Sequence, residues 1–248
     1  MTSSQPLAPA GWYPSPDGAP ALRWWDGTQW TAQERPLPAI RPPEQQQKAD
    51  GLAALATWTR LFLIGSAALS IGFVAHEIVG VAAMNRFLAG EAGIGELDAY
   101  DARAVPFTFA VMGATLLTGL TWIIWQERAA RRVKPFLKRS PGWHAASWII
   151  PVIALWFPYQ NVSDLFRLSR GSHPRWLGVW WGLWVGGSLL SNAATQIALR
   201  TETLEEYVIV TMLSIASHTL LIAAVPLACL VVRDLTRSLD EAQISSSG

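Results

Sequence analysis

Beyond residue 60 the apolar positions gather into long runs with few charges. Four of them, 61–83, 105–125, 176–199 and 207–232, are each long enough to cross a hydrocarbon layer of about 30 Å, which takes roughly 20 helical residues. A fifth run, 145–158, is shorter and is broken by Pro151, as expected of a re-entrant or interfacial segment. Before residue 36 the pattern has a different period. Leu22-Arg23-Trp24-Trp25 and Thr28-Gln29-Trp30-Thr31 flank Asp26-Gly27, a strong signal for a two-residue hairpin, and Pro16-Asp17-Gly18 has the chemistry of a tight turn. In that register Trp25 faces Thr28 and Arg23 faces Trp30, so Arg23, Trp25 and Trp30 share one face and Leu22 and Trp24 the other. One face is expected to be core and the other a binding surface.

These patterns predict a mainly α fold, a multi-span transmembrane helical bundle with a small N-terminal antiparallel β module. The chain divides into a disordered start (1–10), a Trp/Pro-rich β module (11–35), a linker (36–54) and a membrane domain (55–240). The linker is expected to be extended, because its prolines and polar residues favour a solvated chain. Nothing in the first 22 residues has the basic start and apolar core of a signal peptide, which predicts an N-terminus that is neither cleaved nor exported.

Charge fixes a topology. With 145–158 not crossing, both termini and the 126–142 and 159–175 loops share one side, which holds all but Arg86, Arg103 and Arg200 of the 19 Lys and Arg residues. A fifth crossing moves Arg167, Arg170, Arg175, Arg233 and Arg237 outside. The positive-inside rule therefore favours four spans with cytoplasmic termini.

Composition supports lipid contact. Asp, Glu, Lys and Arg make up 15% of the chain, against roughly 25% in ordinary soluble domains, and there are 14 Trp. A net charge of +1 argues against a nucleic-acid partner, which needs a basic face. The dense basic stretch Arg128, Arg131, Arg132, Lys134, Lys138 and Arg139 follows an apolar run and is a candidate for anionic-lipid headgroups, each charge being worth about 1 kcal/mol near such a leaflet. Trp176, Trp180, Trp181 and Trp184 recur at helical spacing, as in an interfacial belt.

Candidate chemistry is sparse. His76-Glu77 could open a zinc-protease motif, but Gly80 stands where the second His is needed. Glu77 lies inside an apolar run, where an ionisable group should face the bundle interior or water. Its depth nearly matches that of Asn192, so a hydrogen bond between them is expected if the faces meet. With His76, Gln196 and His218 these residues form the intramembrane polar set, a possible pathway or a group of packing contacts. Cys229 has no neighbours at metal-ligand spacing. No catalytic constellation, metal site or cofactor motif is found, which predicts a non-enzyme.

Gly11-Trp12-Tyr13 through Pro16, followed by Arg23-Trp24-Trp25-Asp26-Gly27 and Trp30-Thr31, resembles a short bacterial family of unknown function numbered 2510. That resemblance implies a small module at the cytoplasmic end of actinobacterial membrane proteins, with no activity to carry over. Ser140-Pro141-Gly142-Trp143, the Trp148 to Pro158 block and Val231-Val232-Arg233-Asp234-Leu235-Thr236 resemble a multi-span bacterial family numbered 4328, and Ala154 stands where that family often has Asn. It implies a membrane location and no chemistry. The expectation is a binding, scaffolding or sensory protein in the lipid bilayer. Its module would engage an unidentified cytoplasmic protein through Trp12, Tyr13, Trp24, Trp25 and Trp30, the alternative being a small transporter or channel.

Overall fold

The computed structural model describes residues 9–16, 21–36 and 43–245, and they fall into two compact units, one built on the β strands and one spanning Lys48–Gln243.

Strands β1 (Gly11–Pro14), β2 (Ala21–Trp25) and β3 (Trp30–Pro36) form an antiparallel sheet in sequence order. The turn between β2 and β3 differs from the two-residue hairpin. Trp25 pairs with Trp30 and Arg23 with Glu34, with an irregularity between them. The Asp26 carboxylate is the cause. It accepts hydrogen bonds from the Thr28 N–H at 2.7 Å, the Gln29 N–H at 2.8 Å and the Thr28 hydroxyl at 2.8 Å, and the Asp26 N–H donates to the Gln29 carbonyl at 3.2 Å. An Asp side chain that binds the backbone ahead of it mimics a turn and lengthens the loop. These bonds, led by that from Gln29, hold the Asp26 carboxyl below its usual range. Gly27 accepts the required φ of 101°, which disfavours a side chain. The expected face-sharing still holds, because directly paired residues share a face. Asp17 and Gly18 of the expected first turn lie outside the described residues, as do residues 1–8 of the expected disordered start.

In the helical unit, α1 (Pro43–Leu88), α2 (Ile94–Arg132), α5 (Leu177–Ala198) and α6 (Leu204–Ser245) are long, and α3 (Pro141–Ala146) and α4 (Phe157–Arg170) are short. The linker expected over 36–54 is helical from Pro43, because Glu, Gln, Lys and Ala after it are good helix formers that run on into the span. Residues 37–42 lie outside the described residues.

Three helical stretches, Gly51–Leu88, Ile94–Arg132 and Leu204–Glu241, are long and apolar enough to cross a membrane. Between 6% and 28% of their most apolar windows is buried inside the protein, so their apolar side chains point outward. Phe109 and Leu116 are 63% and 66% exposed. Such a surface suits lipid rather than water. The remaining expected span, 176–199, forms α5, whose 22 residues reach about 33 Å. Its Trp, Gly, Ser, Asn and Gln residues lower its hydropathy. At its start Trp180 stacks on Trp122 of α2, and further along Gly187 meets Leu221 and Ser217 of α6. It therefore runs beside the other three.

The 145–158 segment is no spanning helix. After α3 ends at Ala146 the chain turns, passes through a single 3-10 turn (Ile153–Leu155) and enters α4 with Pro158 in its first turn. Ile149 and Val152 at its tip are 72% and 64% exposed.

The main core lies where α2 and α6 end and α5 begins, around Trp125, Phe166, Trp180, Val231 and Leu235. Trp125 donates its indole N–H to the Thr236 hydroxyl at 3.0 Å, and Arg132 pairs with Asp240. A smaller cluster of Met84, Tyr100 and Val208 closes the opposite end. Pro226 sits inside α6, where it cannot donate to the helix ladder.

Candidate functional site

The β module has aromatics on both faces. Trp12 packs edge-on against Trp24 on one side, with ring centroids 5.4 Å apart. On the other, Trp30 packs edge-on against Trp25 at 5.2 Å and Tyr13 at 6.3 Å. Arg23 pairs with Glu34 beside them. The expectation of one core face is corrected: none of these five aromatics is fully buried, and Trp12 and Trp30 remain 37% and 38% exposed. Among the described residues of this small unit no second layer covers either face of the sheet.

The intramembrane polar set does not converge. Glu77 is buried and accepts a hydrogen bond from the Tyr100 hydroxyl at 3.0 Å, so its partner is on α2. The expected pairing with Asn192 is not formed; Asn192 and Gln196 are both exposed on α5. Equal depth left the direction of each side chain around its helix undetermined. His76 stacks between Tyr100 and Phe107, with centroids 4.6 and 5.3 Å away. His218 binds the Ser214 carbonyl through Nδ1 at 3.0 Å and packs on Phe73 at 4.7 Å.

The basic stretch is largely engaged by the protein itself. Arg131 pairs with Glu127, Arg132 with Asp240 and Lys138 with Asp164. Arg139 donates to Asn161 at 3.2 Å and to Gln160 at 2.6 Å, and its guanidinium lies 4.1 Å from the Phe157 ring centre. Arg128 and Lys134 remain exposed.

Sequence reasoning missed the centre of the helical unit. Gln126 is fully buried, and its side-chain oxygen accepts the indole N–H groups of Trp122 at 3.1 Å and Trp148 at 2.8 Å. This ties the 145–158 segment to α2. Nearby, His144 is 1% exposed. Burial, reinforced by Arg139 and opposed by Asp164, lowers its pKa to about 4. Asn161 of α4 donates to the Trp143 carbonyl at 3.3 Å and the Ser147 hydroxyl at 3.1 Å, which fixes α3 against α4. The belt expected from Trp176, Trp180, Trp181 and Trp184 is corrected for Trp180, which is 2% exposed and part of the core.

Above Gln126 a cavity of about 390 Å³ opens between α1, α2, α5 and α6. Trp122, Trp148, Trp180 and Trp184 wall one part of it. Ser70, Thr115, Ser188 and His218 also line it, and no Asp, Glu, Lys or Arg does so among the described residues. Of the expected polar set, His218 alone reaches it. The Trp repeats were a visible signal in the sequence, but their spacing could not say that they face one another. The described residues contain no group of three His, Cys, Asp or Glu able to hold a metal ion.

Residues 10–48 match the family described as a protein of unknown function (DUF2510), to which the β module is similar. No curated protein and no solved structure matches the chain significantly. Residues 93–237, more than half of the chain, match the domain of unknown function DUF4328, and the protein belongs to that family.

Proposed function

We propose that this is a multi-pass protein of the bacterial plasma membrane that holds its β module in the cytoplasm to recruit another protein. It acts as a binding or scaffolding protein rather than an enzyme. The observation that carries this reading is the partly exposed Trp on each face of the sheet, Trp12 and Trp30, because Trp is among the residues most enriched where binding energy concentrates. Four crossings with both termini cytoplasmic are supported by the charge distribution and by α5 running alongside the other long helices. Of the basic stretch, Arg128, Arg131, Lys134 and Lys138 are exposed and have room for anionic headgroups, Arg131 and Lys138 from within surface ion pairs. The transport alternative requires Glu77, Asn192, Gln196 and His218 on one path, and that arrangement has no support in their placement.

The test is photo-crosslinking of the full chain in living cells, with a benzophenone amino acid at position 12 or 30 and a control at Ala32 of the same sheet. One discrete protein adduct from 12 or 30, absent from 32, supports recruitment. Adducts to lipid alone, or equal labelling from all three positions, sink it.

A further inference from the structure

The cavity within the helical bundle serves no purpose in recruitment, and its chemistry is specific enough to describe an occupant. Its volume of about 390 Å³ lies within the roughly 300–1,000 Å³ of small-molecule pockets. The absence of charged lining residues among those described excludes a charged head, since an ion brought into such a site would lose its hydration without a counter-charge.

The polar groups narrow the class further. A backbone carbonyl only accepts, so the 3.0 Å contact from His218 Nδ1 to the Ser214 oxygen places the ring proton on Nδ1. In the neutral ring Nε2 is then an acceptor, able to take a donor from an occupant of the cavity that His218 lines. The Ser66 and Thr118 hydroxyls are spent on helix carbonyls, at 2.9 Å to Leu63 and at 2.7 and 3.1 Å to Ala114 and Phe62. Ser70, Thr115 and Ser188 line the same space.

The indoles lie further along the helices. Trp180 precedes Ser188 by about 12 Å of α5, and Trp122 follows Thr115 by about 10 Å of α2, at 1.5 Å per residue. Flat indole walls suit an unsaturated or ring-bearing hydrocarbon. We infer that the cavity binds an uncharged, unsaturated lipophilic alcohol, its hydroxyl donating to His218 Nε2 and its carbon skeleton lying against Trp122, Trp180 and Trp184. This site is independent of whether the β module recruits a protein.

The test uses the full chain in phosphatidylcholine nanodiscs and tritiated farnesol as the probe. Saturable binding is expected, with farnesyl methyl ether, which lacks the donor, about tenfold weaker as a competitor. Farnesyl phosphate and a trimethylammonium of the same chain should compete no better than the ether. His218→Phe keeps a ring against Phe73 but removes the acceptor, and should weaken farnesol about tenfold while leaving the ether unchanged. Ser188→Phe, which fills the cavity, should abolish binding of both. Equal competition by alcohol and ether, preference for the phosphate or the ammonium, unsaturable uptake, or unchanged binding to Ser188→Phe in a monodisperse sample would each overturn the assignment.

Discussion

Gly80 is where the packing of the first two spans can be tested most directly. A Cβ added there would lie 2.3 Å from Cε2, 2.6 Å from Cζ and 2.8 Å from Cδ2 of Tyr100, whereas carbon atoms rest at about 3.5–4.0 Å. The ring must therefore retreat by about 1 Å. It is held by His76 stacked 4.6 Å away and by its own 3.0 Å hydrogen bond to Glu77. Overpacking of this kind costs about 1–3 kcal/mol. Pulling the hydroxyl from the buried carboxyl adds a comparable 1–3 kcal/mol. The better helix propensity of Ala returns about 1 kcal/mol. Gly80→Ala should thus lose about 3 kcal/mol, which lowers a thermal midpoint by roughly 6–12 °C for a unit of this size. The reference is Gly65→Ala on the same helix, where no atom lies within 4 Å of the added carbon. Both variants are melted in the same detergent, alone and in a Tyr100→Ala background. A Gly80→Ala midpoint within about 2 °C of the reference, or an undiminished loss once Tyr100 is gone, would falsify the packing argument.

Three further outcomes are expected. Gln126→Met removes the acceptor of two buried indole N–H groups and should cost about 2–4 kcal/mol in the same melt, part of it recovered by adding Trp148→Phe. A loss below about 1 kcal/mol would show that Gln126 is not the hub. Because the folded pKa of His144 is about 4, below its usual 6.5, the unfolded chain takes up the proton first on acidification. Its contribution is intact above pH 6.5 and falls by about 3 kcal/mol between there and pH 4; His144→Gln should flatten that part of the profile. Gly27→Ala forces a side chain into φ near 101° and should speed hydrogen exchange of 21–36 in the full chain, while Ala32→Gly on the neighbouring strand should have less effect; equal effects would refute the turn assignment.

The parts legible in the sequence were those that depend on one residue's neighbours along the chain. Long apolar runs became long helices, the Pro151 break kept 145–158 from forming a continuous one, and the Trp-rich start became a sheet. Where a side chain's direction around a helix mattered, the sequence was silent. Glu77 and Asn192 share a depth, yet Glu77 turns to Tyr100 on α2 and Asn192 faces outward. Asp26-Gly27 suggested the wrong loop length because the Asp26 carboxylate organised the backbone beyond the pair. Gln126, where the 126–142 loop was expected to begin, drew no notice in the sequence; its meaning depends on Trp148, 22 residues away.

The position of Pro226 has a mechanical consequence for α6. The helix runs 42 residues, about 63 Å, roughly twice the hydrocarbon thickness of about 30 Å. The missing ladder bond at Pro226 divides it into a longer arm and a shorter one of nearly 30 Å ending at Ser245. A pivot of 10° there swings the far end by about 5 Å, since displacement grows with arm length. At Thr236 and Asp240, nearer the pivot, the same 10° moves the helix by about 2.6 and 3.7 Å, enough to part the Trp125–Thr236 and Arg132–Asp240 contacts. Those two contacts act as a latch on a lever, and Val225 and Ala228, on either side of its fulcrum, line the cavity.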